Sequence, residues 1–244
     1  LFIMSLFDSL RSLFTPAPAT PRSAGSPRER SVQCMGPHGL HRMAYTEWGD
    51  PQNPRVLVCV HGLTRNGRDF DELARAMAGE YRVVCPDVVG RGRSEWLGVK
   101  TDYGFPVYLS DMVTLIARLD VETVHWVGTS MGGIIGMLLA SQPQTPITRL
   151  VLNDVGPVIT ASSLIRIGQY VGTAPRFPDI GAAERYIRQV SAPFGPLSDA
   201  QWQHLTRYSV GATDDGEGGF RMVYDPGLGE AVGTEGRQDL IDAL

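Results

Sequence analysis

From Thr123 to Ala140 the chain reads as a short apolar strand, a turn too tight for ordinary side chains, and an apolar helix. At the turn, Gly128-Thr129-Ser130-Met131-Gly132 sets one serine between two glycines, each two residues away. A strand that reverses directly into a helix strains the backbone of its corner residue, and side chains at the flanking positions would collide with both elements. The same corner exposes the Ser130 hydroxyl and places the Met131 N–H at a helix N-terminus, where it can hold a developing negative charge. The pattern predicts a nucleophile at Ser130; the bland alternative is a structural turn.

The segments on either side fit this scaffold. Ser31–Met35 and Leu40–Trp48 read as two strands joined by Gly36-Pro37-His38-Gly39. Arg55–Val60 and Tyr81–Cys85 are runs of β-formers, as expected of strands buried on both faces. Helical spacing follows each of them, over 67–78 (Phe70, Leu73, Met77) and through Val107, Met112, Leu115, Ile116 and Leu119. Arg149–Asp154 is one more strand. Alternation of this kind predicts an α/β fold, a mostly parallel sheet with helices on both faces.

Beyond Gly156-Pro157 the alternation stops. Ala161–Val171, Ile180–Val190 and Asp199–Tyr208 read as consecutive helices, Gly211–Gly219 as an acidic loop, Phe220–Tyr224 as a short extended piece and Gln238–Leu244 as helical. Helices inserted after a sheet strand imply a lid over the edge of the sheet where α/β folds bind ligands. The expected organisation is a tail and linker over 1–30, a core over 31–156, a helical lid over 157–236 and a return to the core over 237–244. In the tail, Leu6, Phe7, Leu10, Leu13 and Phe14 share one face of a helical pattern before a Pro/Ala/Ser/Thr-rich run. It reads as a disordered tail or as an amphipathic segment able to rest weakly on a membrane surface.

Composition narrows the function. A net charge of −4 over 244 residues gives no footprint for nucleic acid. No stretch has the roughly 20 apolar residues that span a bilayer, and a cytoplasmic setting is expected. Cys34, Cys59 and Cys85 show no metal-ligand spacing and are expected as buried free thiols. No metal and no organic cofactor is expected. Oligomeric state has no signal in the sequence.

With these motifs in order, the chain resembles the α/β-hydrolase superfamily, in its capped, esterase-like branch, over residues 31 to 244. His61-Gly62 is similar to that family's oxyanion motif, Pro86-Asp87-Val88-Val89-Gly90-Arg91-Gly92-Arg93-Ser94 to its loop after the fourth strand, and Gly128–Gly133 to its nucleophile elbow. The resemblance implies Ser130 as nucleophile, with the backbone N–H groups of Leu63 and Met131 as oxyanion donors. His61 and Gly62 would line the substrate site, His61 as a brace and not as the base. Asp87, Arg91 and Ser94 would fix their own loop, with an arginine reaching substrate as the alternative, and Leu164, Ile165, Ile167, Tyr170 and Val171 would line the apolar pocket from the lid. The implied substrate is a small, apolar ester-like molecule: a carboxylic ester, lactone or thioester. Carbon–carbon bond hydrolysis, acyl transfer and a non-catalytic binding module on the same fold are the alternatives.

The family orders its triad as serine, then acid, then histidine. All five histidines (His38, His41, His61, His125, His204) precede the place where that base belongs. The expectation is a fragment that stops before the last two strands and lacks the usual acid and base. Asp154, at the end of the strand after Ser130, is an alternative acid or else a turn residue.

Overall fold

The structure is a computed structural model that describes residues 26–156, 171–173, 175–213 and 218–231. The expected amphipathic tail, the helix over 161–170 and the segment 238–244 lie outside the described residues. The chain divides into two compact units, with the breaks at Thr173/Ala174 and Val223/Tyr224.

Among the described residues, the larger unit is built on a sheet of six strands. They are β1 (Arg28–Gly36), β2 (Gly39–Trp48), β3 (Val56–Val60), β4 (Arg82–Pro86), β5 (Val124–Thr129) and β6 (Ile147–Asn153), in the order β1-β2-β4-β3-β5-β6. The first pairings, β1 with β2 and β2 with β4, are antiparallel, and the rest are parallel. Every residue of β3 is buried, as a parallel strand covered on both faces requires. The β1–β2 hairpin is longer than its sequence pattern predicts. Arg28 and Glu29 join β1 because Glu47 on β2 is buried and accepts from Arg28 Nε at 3.0 Å and Arg82 Nη2 at 2.9 Å. That ion pairing across three strands extends the ladder into residues whose own composition is polar.

Three helices pack on this sheet: α1 (Asp71–Met77), α2 (Phe105–Arg118) and α3 (Met131–Ala140). The expected helix over 67–78 is split. Gly67–Phe70 forms a 3₁₀ turn capped by the Asn66 side chain, which accepts from Arg68 N, and α1 follows. Close backbone approach explains Gly132 in α3 and Gly128 in β5. A methyl group on Gly132 would sit 2.1 Å from the Val60 carbonyl oxygen, and one on Gly128 2.3 Å from the Gly132 oxygen. The sheet and α3 touch backbone to backbone, and Trp126 Nε1 donates to the Gly132 carbonyl at 3.0 Å.

After β6 the chain leaves this unit and re-enters it at Tyr224. The two passages lie side by side: Tyr224 Oη donates to the Thr173 carbonyl at 3.0 Å, and Gly172, at φ +89°, approaches the Gly229 backbone too closely for a side chain. Re-entry is pinned by Asp225, which is buried, accepts from Tyr103 Oη at 2.7 Å and pairs with Lys100.

The smaller unit holds more strand than the sequence pattern predicts. Alongside helices α4 (Ile180–Val190) and α5 (Asp199–Ser209) it holds a three-stranded antiparallel sheet, of which one strand falls in the expected extended piece Phe220–Tyr224. The strands are β7 (Arg176–Phe177), β8 (Val210–Ala212) and β9 (Phe220–Met222), in the order β7-β9-β8. Strands of two or three residues are too short to show a period of two. Both helices begin where capping residues say they should. Asp179 accepts from Ala182 N at 2.7 Å, and Ser198 with Gln201 forms a capping box. Among the described residues no helix is long and apolar enough to cross a membrane.

The backbone contact under α3 makes a sharp demand. Gly132→Ala must push the helix off Val60 and is expected to cost about 2 kcal/mol or more. Gly79→Ala, where a methyl group meets nothing within 4 Å, is expected within about 0.5 kcal/mol of wild type. Urea unfolding of the two variants checks the pair, and equal stabilities would contradict the packing.

Candidate active site

Ser130 stands at the corner between β5 and α3 with φ +49° and ψ −116°. A non-glycine residue rarely holds such a backbone without support. Here the Ser130 N–H donates to the Asn153 carbonyl at 2.9 Å, and its own carbonyl accepts from Gly133 and Ile134 at 2.9 and 3.1 Å. Those bonds hold the corner while the side chain stays half-exposed. Met131 begins the helix, so its N–H is among the first-turn amides that lack an intrahelical acceptor.

The loop after β3 comes alongside. A methyl group on Gly62 would lie 3.7 Å from Ser130 Cβ, so residues predicted from two separate motifs converge. The peptide joining Gly62 to Leu63 is held through its carbonyl, which accepts from the His61 ring at 2.7 Å and from Arg65 N at 3.0 Å. His61 Nε2 in turn accepts from Val88 N at 2.9 Å. That bond fixes the tautomer: Nδ1 carries the proton and donates to Gly62. Burial drives the His61 pKa down to about 3, with the Arg91 charge acting in the same direction. A neutral imidazole with both nitrogens engaged is a brace.

The loop after β4 is tied just as tightly. Asp87 accepts from Gly67 N at 2.8 Å and Arg93 N at 3.0 Å, and burial raises its pKa. Ser94 donates to the Asp87 carbonyl and accepts from Ala44 N. Arg91 does more than hold its own loop. Its Nε donates to the Leu63 carbonyl at 2.8 Å, and Nη1 to the Val89 carbonyl at 2.7 Å and Tyr108 Oη at 3.0 Å. Nη2 lies 3.6 Å from Met131 Sδ. Arg91 is wholly buried. Its position between two glycines marks a loop residue, but nothing near it in sequence points to Leu63, 28 residues earlier.

The other sequence candidates sort as follows. Asp154 is exposed at φ +54°, just past the Asn153 carbonyl that holds Ser130. Leu164, Ile165, Ile167 and Tyr170 lie outside the described residues, and Val171 is buried. His38 pairs with Asp102 at 2.7 Å, and His125 Nδ1 lies 3.1 Å from Tyr81 Oη. His204, on α5, is half-buried with its ring against Tyr208.

One cluster is invisible in the sequence. Cys34 and His41 face each other across the β1–β2 hairpin, and α2 brings Asp111 onto them. Their ligand-type atoms lie within 4.8 Å of one another, and among the described residues only this trio has metal-ligand character. His41 Nε2 is 3.0 and 2.9 Å from the two Asp111 oxygens. Burial, with Asp111 beside it, pushes the Cys34 thiol up to about 12. With the thiol protonated, the Asp111 carboxylate accepts from both neighbours, while the buried His41 Nδ1 has no hydrogen-bond partner among the described residues. All three cysteines are buried and free, as expected.

Comparison with known proteins agrees with this architecture. The family model for the alpha/beta hydrolase fold matches residues 55–198, and the chain belongs to that family. It is 56% identical over 208 residues to a 3-hydroxybutyrate-oligomer hydrolase of Cupriavidus necator, covering 84% of this chain and 70% of that protein. An α/β hydrolase from Novosphingobium aromaticivorans is similar in structure, with 32% identity, a TM-score of 0.73 and coverage of 84% and 71% of the two chains. A Rickettsia typhi protein superimposes at a TM-score of 0.79 with 34% identity, over 84% and 74%. Fold and relatives together mark the chain as a hydrolase.

The His61 brace has a signature in pH. Its folded-state pKa of about 3 lies below the ordinary 6.5, so in that window the unfolded chain takes up a proton that the folded state refuses. The stability it contributes is complete above pH 6.5 and is lost as pH falls toward 3. The unfolding free energy of wild type relative to His61→Gln is expected to shrink by about 1.4 kcal/mol per pH unit across that window. A pH-independent difference would mean that the ring is charged in the folded protein.

Proposed function

We propose that the protein hydrolyses ester bonds through Ser130, and that its substrates are short oligoesters of a hydroxy acid. The observation that carries the mechanism is the strained Ser130 corner standing beside the braced Gly62–Leu63 peptide. Strain at a half-exposed serine, held by backbone bonds from three sides, is spent where a reactive side chain must be presented. The substrate class rests on the Cupriavidus necator relative, whose name specifies 3-hydroxybutyrate oligomers.

Ser130 Oγ attacks the ester carbonyl and its proton passes to a histidine base. The tetrahedral oxyanion is held by the Leu63 and Met131 amides. Collapse expels the hydroxyl end of the leaving oligomer, which takes the proton, and water then hydrolyses the acyl-enzyme to a free acid. The histidines of the larger unit have other work: His38 and His41 pair with carboxylates, His61 braces a loop and His125 meets Tyr81. The reading therefore assigns the role of base to none of these four. Ser130 as nucleophile sets the reading apart from relatives that attack through aspartate.

The test uses the full-length protein carrying these residues. A fluorophosphonate probe is expected to label it, with label lost in Ser130→Ala and kept in Ser94→Ala. Linear 3-hydroxybutyrate dimers and trimers are expected to be cleaved to monomer, with turnover falling at least about a thousand-fold in Ser130→Ala, as for other serine hydrolases stripped of their nucleophile. Unchanged labelling in Ser130→Ala would overturn the nucleophile. Cleavage of simple p-nitrophenyl esters with no turnover of the oligomers would overturn the substrate class.

A further inference from the structure

The arginine of the β4 loop reaches further than a loop brace needs to. Arg91 has none of its surface exposed, and among the described residues no carboxylate pairs with it. Its partners are two carbonyls, one tyrosine hydroxyl and a methionine sulfur. Its guanidinium also lies over the rings of Tyr108 and Tyr103, at 4.9 and 5.8 Å from the centroids. Asp225, the buried carboxylate that Tyr103 shares, is already matched by Lys100. A buried, unneutralised cation is costly, and folds ordinarily pair or expose such groups.

Its contacts fall on Leu63 and Met131, the two residues that the proposed mechanism uses as oxyanion donors. One nitrogen holds the Leu63 carbonyl and another touches the Met131 side chain. His61 fixes the Gly62–Leu63 peptide from its carbonyl side, and Arg91 fixes the next peptide along. The peptides on both sides of Leu63 are therefore held through their carbonyls. A positive charge with no counterion among the described residues also raises the potential at the place where an oxyanion would form, and low local dielectric keeps that effect from being screened.

We infer that Arg91 is a positioning residue of the reaction: it aligns the Leu63 and Met131 oxyanion donors, and its unpaired charge strengthens them when the tetrahedral oxyanion appears. The inference rests on the serine-hydrolase reading above. Arg91 does not touch substrate. It acts on the transition state through its neighbours, so its removal should spare ground-state binding.

The experiment compares Arg91→Met and Arg91→Lys in the full-length enzyme, with a serine-directed trifluoromethyl ketone as an oxyanion-forming inhibitor. Methionine keeps the bulk and loses the charge and the donors; lysine keeps the charge and loses the planar reach to several acceptors. Arg91→Met is expected to lower kcat roughly 10- to 100-fold, no more than the loss of an oxyanion donor, with KM within about threefold. Inhibitor affinity should fall in parallel with kcat. Arg91→Lys should recover part of both.

A folded Arg91→Met enzyme with kcat within about twofold of wild type would overturn the inference. So would a rise in KM at constant kcat, because that is loss of uniform binding. If the methionine variant does not fold, the lysine variant decides alone: kcat and inhibitor affinity should fall together at steady KM, and wild-type values would overturn the positioning role. Failure of the underlying reading is separate. It would show as catalysis or probe labelling surviving in Ser130→Ala, whatever the variants at position 91 do.

Discussion

The structure around Ser130 depends on one imidazole. His61 stands between two loops, giving a proton to the Gly62 carbonyl and taking one from the Val88 amide. Because both nitrogens are committed and the ring is buried, its charge state is decided by the fold and not by solvent. The loop after β3 therefore has one position relative to the loop after β4. Asp87 repeats the tie by accepting from Gly67, and Arg91 repeats it again through Leu63. Three side chains of different chemistry fasten the same two loops, so the peptide beside the serine has little freedom left.

The second constraint is the absence of side chains. Gly132 lets α3 sit directly on the Val60 carbonyl, and Gly128 lets the corner close against the start of that helix. With β5 and α3 packed this closely, the corner between them holds Ser130 at a positive φ of +49°. The corner and its support belong to one another. The serine is presented because the helix is close, and the helix is close because the flanking residues have no Cβ.

Buried polar groups carry much of the remaining order. Glu47 draws Arg28 and Arg82 onto three strands, Asp111 gathers Cys34 and His41 under α2, and Asp225 anchors the chain as it returns. Each is a carboxylate removed from water and matched by donors from distant parts of the sequence, which is the condition under which such groups are tolerated. Among the described residues no carboxylate pairs with Arg91, which touches Met131, the residue after Ser130. The match to the alpha/beta hydrolase family over 55–198 covers this machinery.

What the sequence determined by itself was local. The β3, β4 and β5 runs, the glycines of the elbow and the caps at Asp179 and Ser198 are each legible within a few residues, because strand burial, backbone strain and capping act at that range. The family could be named from those signals. The three-stranded sheet of the smaller unit could not, since two-residue strands exist only through their partners. Nor could the His61 tautomer, the Cys34–His41–Asp111 network or the grip of Arg91 on Leu63. Those contacts join residues 27, 70 and 28 positions apart. Hydrogen bonds between loops depend on where the sheet brings them, and that distance is set by tertiary packing, which no run of neighbouring residues encodes.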